Sequence, residues 1–368
     1  MTVWELDTPA LLIDQDILTA NLKRMQAYAE RKHVLLRPHV KTHKMPHIAR
    51  LQRELGAVGI AVAKVGEAEV MAEHGMDDIM IANEIVGPEK LRRIAALGRS
   101  CRVRYGVDSV YQIEEAQLTF AACSATARVV VEIEVGENRS GVVEETDFRE
   151  LIKAIQKSPN VSYEGVFGHD GNSYRAADAK ACTDVSVGAQ RRLLQFASVA
   201  EEMGEHSRIV SYGSTPAVLC DCPILEGITD IRVGTYALMD ASQAHVVGTY
   251  EHCGATVLAT VISKPVKGRV ILDVGAKGLT MQERTEGICA SGGKGCILGE
   301  PDVKIDAVFD EHGIIHDERF FEKVRIGEKV RIIPAHVCPV VNLYDSAYFC
   351  EGETVISEVP VLCRGKLN

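Results

Sequence analysis

The chain predicts an α/β architecture, a (β/α)8 TIM barrel followed by a mainly β C-terminal domain. Three observations predict it. Eight β-rich runs recur between residues 33 and 238, helical patterns with short connections separate most of them, and beyond Tyr236 the helical periodicity fades while β-rich segments continue. Alternating strands and helices build a parallel sheet covered by helices, and eight repeats over roughly 225 residues suit a closed barrel, with an open doubly wound sheet as the alternative. The expected division is a barrel over residues 15–240 and a β domain formed by 1–14 with 241–368.

The elements follow in order. After "LDTPALLID", Leu18, Leu22, Met25 and Ala29 fall at spacings of four, three and four, one face of a helix. The eight expected strands are "HVLLRPHV" (33–40), "GIAVAK" (59–64), "DDIMIAN" (77–83), "RVRYGVD" (102–108), "RVVVEIEV" (128–135), "YEGVFGH" (163–169), "RIVSYG" (208–213) and "DIRVGTYAL" (230–238). Helices such as "EAEVMAEHG", "PEKLRRIAALG", "DFRELIKAIQKS" and "AQRRLLQFASVAEEMGE" lie between them, several closing on Gly. Later segments, among them "ATVLATVISKP", "GRVILDVG" and "EKVRIIPAHVCPVV", are β-rich and punctuated by Gly, Pro and charged turns.

A net charge of -10 argues against nucleic acid or an anionic membrane as partner and favours a small-molecule substrate. The N-terminus has no basic, apolar signal pattern, and no stretch is apolar enough for a membrane span, so a cytoplasmic protein is expected. The 11 cysteines are irregularly spaced without a C-x-x-C pair, which suits reduced thiols.

In such a barrel the chemistry gathers at the C-terminal ends of the strands. Those ends read Lys41, Asn83, Asp108, Arg139, His169, Ser211 with Gly213-Ser214-Thr215, and Gly234-Thr235-Tyr236. Each has an ordinary reading: a solvated lysine, an Arg139–Glu137 pair, a simple turn. Their coincidence at one rim is what points to a site. The Gly-Ser-Thr and Gly-Thr turns offer hydroxyls and backbone N–H groups for a phosphate dianion, without the G-x-G-x-x-G or Walker pattern of a nucleotide site. A lysine beside a phosphate site suggests pyridoxal 5'-phosphate, because desolvation lowers the amine's pKa and helps it form a Schiff base and then act as a base.

In "IIPAHVCPVVNLYD", His336 and Cys338 are two residues apart in an expected strand, placing both on one face, where an imidazole and a thiolate suit Zn²⁺. The ordinary reading is a core cysteine beside a surface histidine. "CDC" (220–222) reads as packing and "SGGKG" (291–295) as a loop.

Taken in order, "LDTPALLID", "RPHVKTHK", "GENRSGV", "GHDGNSY", "VSYGSTP", "RVGTYALMD" and "HVCPVVNLYD" resemble the fold-type III pyridoxal-phosphate enzymes of the D-serine dehydratase and D-threonine aldolase group, relatives of alanine racemase. The resemblance covers nearly the whole chain and implies that Lys41 is the Schiff-base lysine and Arg139 the arginine near the pyridine ring. It puts His169 and Tyr174 beside the ring, and Ser211, Gly213, Ser214, Thr215, Gly234 and Thr235 around the phosphate, with Tyr236 adjacent. His336 and Cys338 match the metal pair, for zinc first and manganese or magnesium as alternatives. It also implies a head-to-tail homodimer with shared active sites.

The same resemblance leaves two activities on a D-β-hydroxy amino acid. A dehydratase eliminates water to give a 2-oxo acid and ammonia; an aldolase breaks Cα–Cβ to give glycine and an aldehyde. The H-x-C pair and the short "HDGNSY" loop resemble the dehydratase branch, since the aldolase branch carries H-x-D and a longer loop bearing a histidine. "IANEIVGP" (81–88) and "VVNLYD" (340–345) resemble the aldolase branch. Elimination is the expected reaction, retro-aldol cleavage the alternative, and a non-catalytic pyridoxal-phosphate carrier the reading from another class.

Overall fold

The computed structural model describes all 368 residues. They form two compact units: one comprises Gln26–Lys41, Ile48–Gly234 and Gly365–Asn368, the other Met1–Met25, Thr42–His47 and Thr235–Arg364.

The strand Ala10–Asp14 (β1) belongs to the second unit. The first holds β2 (Leu35–Leu36), β3 (Ile60–Val62), β4 (Asp78–Glu84), β5 (Arg102–Val107), β6 (Ala127–Glu132), β7 (Val161–Phe167), β8 (Ile209–Tyr212) and β9 (Asp230–Ile231). They pair in parallel in the order β2-β9-β8-β7-β6-β5-β4-β3. The ends of that sheet meet just past β2, where His39 bridges Ala61 and the Ala61 N–H donates to Pro38 O at 2.8 Å. The eight expected strands are therefore present as a curled parallel sheet with its helices.

Several are shorter than their apolar runs. The run 33–40 is a strand only at Leu35–Leu36, because His33 is left-handed (φ 56°), Pro38 has no N–H for the ladder, and Val40–Thr42 turns as a 3₁₀ helix. The run 230–238 likewise stops at Ile231, and Thr235–Ala237 is again 3₁₀. At β7, Gly165 has φ 145° and a Cβ there would collide with Ile209 O, so only glycine fits beside β8.

The barrel core joins an apolar cluster of Met80, Val130, Phe167 and Ile209 to a network of buried ions. Arg37 donates to Asp78 (2.5 Å) and Asp230 (3.3 Å), and Arg104 donates to Asp78 (2.7 Å) and Glu164 (3.3 Å). Burial pushes the Asp78 carboxyl up, but the hydrogen bonds and charges of Arg104 and Arg37 outweigh it and hold the group below its ordinary value.

In the second unit β1 lies between β10 (Ala255–Val266), antiparallel, and the strand Ser346–Glu351, parallel. Val3, Leu6, Ala10, Leu12, Leu258 and Cys350 pack together at this junction. The strand Lys329–Pro334 pairs with β10 and ends at its proline. His336 and Cys338 are consequently not on a strand, contrary to expectation: His336 is the extended N-cap (φ -140°, ψ 110°) of the short helix Val337–Val341, and Cys338 lies in its first turn. No helix of the chain is long and apolar enough to cross a membrane.

Candidate active site

In the barrel unit the 3₁₀ turn after β2 presents Lys41, whose side chain is exposed and whose N–H faces His39 Nδ1 at 3.4 Å. Past β7, His169 Nδ1 donates to Gly213 O at 3.1 Å, which leaves Nε2 as the lone-pair nitrogen. Burial, with the charges of Lys41 and Arg139, drives the His169 imidazolium down to about 3, so this ring is neutral at any working pH. Burial and then Lys41, Arg232, His169 and Arg139 hold His39 well below its ordinary value too. Lys41, Arg139 and Arg232 act on both imidazoles, so these groups share one electrostatic neighbourhood.

The Tyr174 ring stands 6.4 Å from that of His169, tilted by 54°. Ser173 Oγ and Ser214 Oγ are 2.8 Å apart. Gly213 adopts φ 139°, which swings the chain from β8 into Ser214, the N-cap of the short helix Thr215–Leu219. First-turn N–H groups have no intrahelical acceptor, so the Gly213-Ser214-Thr215 turn presents backbone donors, except at Pro216. Gly234 closes the barrel unit, and Thr235 and Tyr236, both buried, open the 3₁₀ turn in the other.

Two expected residues are placed differently from their neighbours. Ser211 Oγ donates to Asp230, so its hydroxyl is committed to the interior ion network. Arg139 is half-exposed and pairs with both Glu132 and Glu137 at 3.4 Å, the ordinary pairing its sequence context allowed. Nearby, burial together with Glu132 raises the Glu84 carboxyl to about 9, so this pair of acids retains a proton at neutral pH.

In the β unit, His336 Nδ1 meets Gln282 Oε1 at 2.8 Å. The Cys338 thiol faces the Thr42 hydroxyl at 3.3 Å and the Thr235 hydroxyl at 3.7 Å. The buried Asp240 accepts from the Val337 N–H at 3.0 Å and fixes the turn between the two.

Sequence reasoning missed several participants. Arg232 is buried, lies over the Phe167 ring at 5.0 Å, and donates Nη2 to Gly168 O at 2.8 Å, while its Nη1 has no protein partner. An arginine inside the apolar run "DIRVG" was the available signal. Asp170 is buried, and burial outweighs the hydrogen bonding of Ser214 and pushes its carboxyl up to about 7. Gln282 carried no signal at all.

These residues fit pyridoxal phosphate: a primary amine, a neutral imidazole, a buried guanidinium nitrogen in want of an acceptor, and a turn rich in hydroxyls and N–H groups. For a metal, no group of three or more His, Cys, Asp or Glu is arranged to hold an ion. His336 and Cys338 fit as an open nitrogen–sulfur pair, the remaining positions being left to water or substrate.

Residues 13–242 match the family model for the alanine racemase N-terminal domain. The chain belongs to that family. Residues 254–350 of this alanine racemase-like protein match a serine dehydratase domain model. It is 35% identical to the D-threonine aldolase of Arthrobacter sp over 98% of its own length and 93% of that protein's. It is 30% identical to the D-threo-3-hydroxyaspartate dehydratase of Delftia sp. (strain HT23), over 92% of each chain. Among solved structures, the D-threonine aldolase of Filomicrobium marinum superposes with a TM-score of 0.91 at 31% identity, covering 100% of this chain and 98% of that one. A cysteine-to-alanine variant of D-threo-3-hydroxyaspartate dehydratase, solved in a metal-free form, superposes with a TM-score of 0.90 at 27% identity, covering 98% of each. With aldolases and dehydratases as relatives, this alanine racemase-like chain is a lyase of the pyridoxal-phosphate fold-type III group.

Proposed function

We propose that the protein is a lyase dependent on pyridoxal phosphate and a divalent metal, zinc first, that eliminates water from D-3-hydroxy-α-amino acids to give a 2-oxo acid and ammonia. The observation that carries elimination is the His336–Cys338 pair. In D-threo-3-hydroxyaspartate dehydratase, the cysteine replaced in the metal-free structure lies two residues after a histidine that was also replaced by alanine, the spacing found here. Retro-aldol cleavage is the second reading, favoured by the 35% identity to D-threonine aldolase.

The residues that would hold the cofactor are Lys41, Arg139, His169, Tyr174, Gly213, Ser214, Thr215, Gly234, Thr235 and Tyr236, in a barrel domain taken as 15–240. Ser211 supports them from the interior through Asp230. Bound pyridoxal phosphate supplies an electron sink for charge developing at Cα. The ion held by His336 and Cys338 would polarise the β-hydroxyl. Lys41, in the same electrostatic neighbourhood as His169 and Arg139, would take the Cα proton as general base. His169 stays neutral with its Nδ1–H on Gly213 O, so Nε2 accepts a hydrogen bond and does not carry charge. Arg139, tethered by Glu132 and Glu137, and Arg232 keep the site positive toward an anionic substrate and cofactor.

The protein is further proposed to be a cytoplasmic homodimer with shared sites, a reading that rests on the family resemblance. The deciding experiment is incubation of the holoenzyme with D-serine, D-threonine and D-threo-3-hydroxyaspartate. Oxo acid with ammonia supports elimination; glycine with an aldehyde replaces it by retro-aldol cleavage; no product from any of them would reject both and leave the carrier reading.

A further inference from the structure

The strand-end site uses one face of the barrel. The opposite face, where the strands begin, holds a second concentration of charge. A cavity of about 540 Å³ opens there, lined by the loop Gly98–Cys101, Asp77 just before β4, Arg102 of β5, Arg128 of β6, Glu164 of β7 and Arg208 just before β8. Its lining includes Arg99, Arg102, Arg128 and Arg208 against Asp77 and Glu164.

Both of those carboxylates are already engaged. Asp77 accepts from Arg53 at 2.9 Å. Glu164, buried within β7, accepts from Arg102 (2.9 Å) and Arg104 (3.3 Å) and lies 3.7 Å from Arg128. One acid thus serves three guanidinium groups. Packing and ion pairing account for Arg102, Arg104 and Arg128, but Arg99 and Arg208 add two further charges at the exposed rim that no lining acid offsets. In a chain of net charge -10, such a local excess of positive charge is out of keeping with the rest of the composition. Guanidinium forks match tetrahedral oxyanions in geometry, and several converging on one cleft concentrate the field there.

We propose that this cavity is an anion site that binds the phosphate group of a small phosphorylated molecule, between Arg99, Arg102, Arg128 and Arg208. The lining is polar, so recognition falls on the charged group and not on an apolar body. The site is independent of the lyase reading, since none of its residues belongs to the strand-end constellation.

The test is a calorimetric titration of the holoenzyme, its cofactor position filled, with inorganic phosphate at ionic strength held constant with chloride. Saturable binding is expected at one site per chain, weakened at least tenfold in Arg99→Ala/Arg208→Ala. Should that pair of changes disturb folding, which the cofactor's visible absorbance would reveal, Arg208→Ala alone is expected to weaken binding measurably. No saturable binding by the wild type, or equal affinity in folded variants, would overturn the assignment.

Discussion

In the β unit, the Nδ1 of His336 lies 2.8 Å from the side-chain oxygen of Gln282. A carboxamide oxygen can only accept, so the ring proton is held on Nδ1 and Nε2 keeps its lone pair. That is the tautomer a metal-ligating histidine needs, and partners of this kind typically set affinity by ten- to a hundredfold. Gln282→Ala is expected to weaken metal binding by at least about tenfold, with activity restored at high metal concentration. Metal titration of the apoprotein checks it, and unchanged affinity would count against the pair as ligands.

Lys41 lies in the 3₁₀ turn that ends the first barrel strand, in the electrostatic neighbourhood of His39 and His169. Lys41→Ala is expected to lower turnover by at least about a thousandfold and to abolish covalent attachment of the cofactor on borohydride reduction. Mass spectrometry of the reduced protein reads the second outcome directly. A reducible adduct on another lysine would reassign the role.

Asp170 and His169 are chain neighbours with opposite pH signatures. The Asp170 carboxyl is raised by burial to about 7 from an ordinary 3.8, so the folded protein holds a proton that the unfolded chain releases. Its contribution to stability is complete below the ordinary value and is lost as pH rises through about 7. Asp170→Asn should therefore gain stability relative to the wild type between about pH 5 and about pH 8, read from urea midpoints. His169, depressed from 6.5 to about 3, contributes in the other sense: its share is present above its ordinary value and is lost as pH falls through about 3.

Asp78 sits between two buried arginines, 2.5 Å from Arg37 and 2.7 Å from Arg104. Removing the acid leaves both guanidinium groups under-compensated away from water. Asp78→Ala is expected to cost about 3–5 kcal/mol of folding stability. Denaturant unfolding measures it, and a loss below about 1 kcal/mol would mean that water reaches the pair.

Much of the architecture was legible because its signals are local. Each of the eight apolar runs holds a strand, and Leu18, Leu22, Met25 and Ala29 are all buried on one helix. What escaped was set by contacts distant in sequence. Arg37, Asp78, Arg104, Glu164 and Asp230 are each a polar residue in or beside an apolar run, which reads as a solvent-facing position until the barrel closes and brings them together. Pro38 cuts a strand that its neighbours' hydrophobicity would extend. The His336–Cys338 spacing suggested a strand face, but Pro334 ends the ladder and the pair is carried on a turn. Lys41, His169 and the Gly213-Ser214-Thr215 turn stand out in the sequence as polar residues at strand ends, whereas Arg232 and Gln282 acquire meaning only from what they touch.

The arrangement of β1 bears on how the molecule comes into being. Its residues Ala10–Ile13 pair with Ala255–Leu258 on one side, and Leu12–Asp14 pair with Tyr348–Cys350 on the other. A strand translated before the barrel is thus the middle of a sheet whose neighbouring members are translated after it. It must wait, unpaired, through synthesis of the entire barrel. Trimming a dozen residues from the amino end would therefore remove a central rung and not a dispensable tail, and the carboxy-terminal portion expressed by itself would expose two apolar edges where that rung belongs.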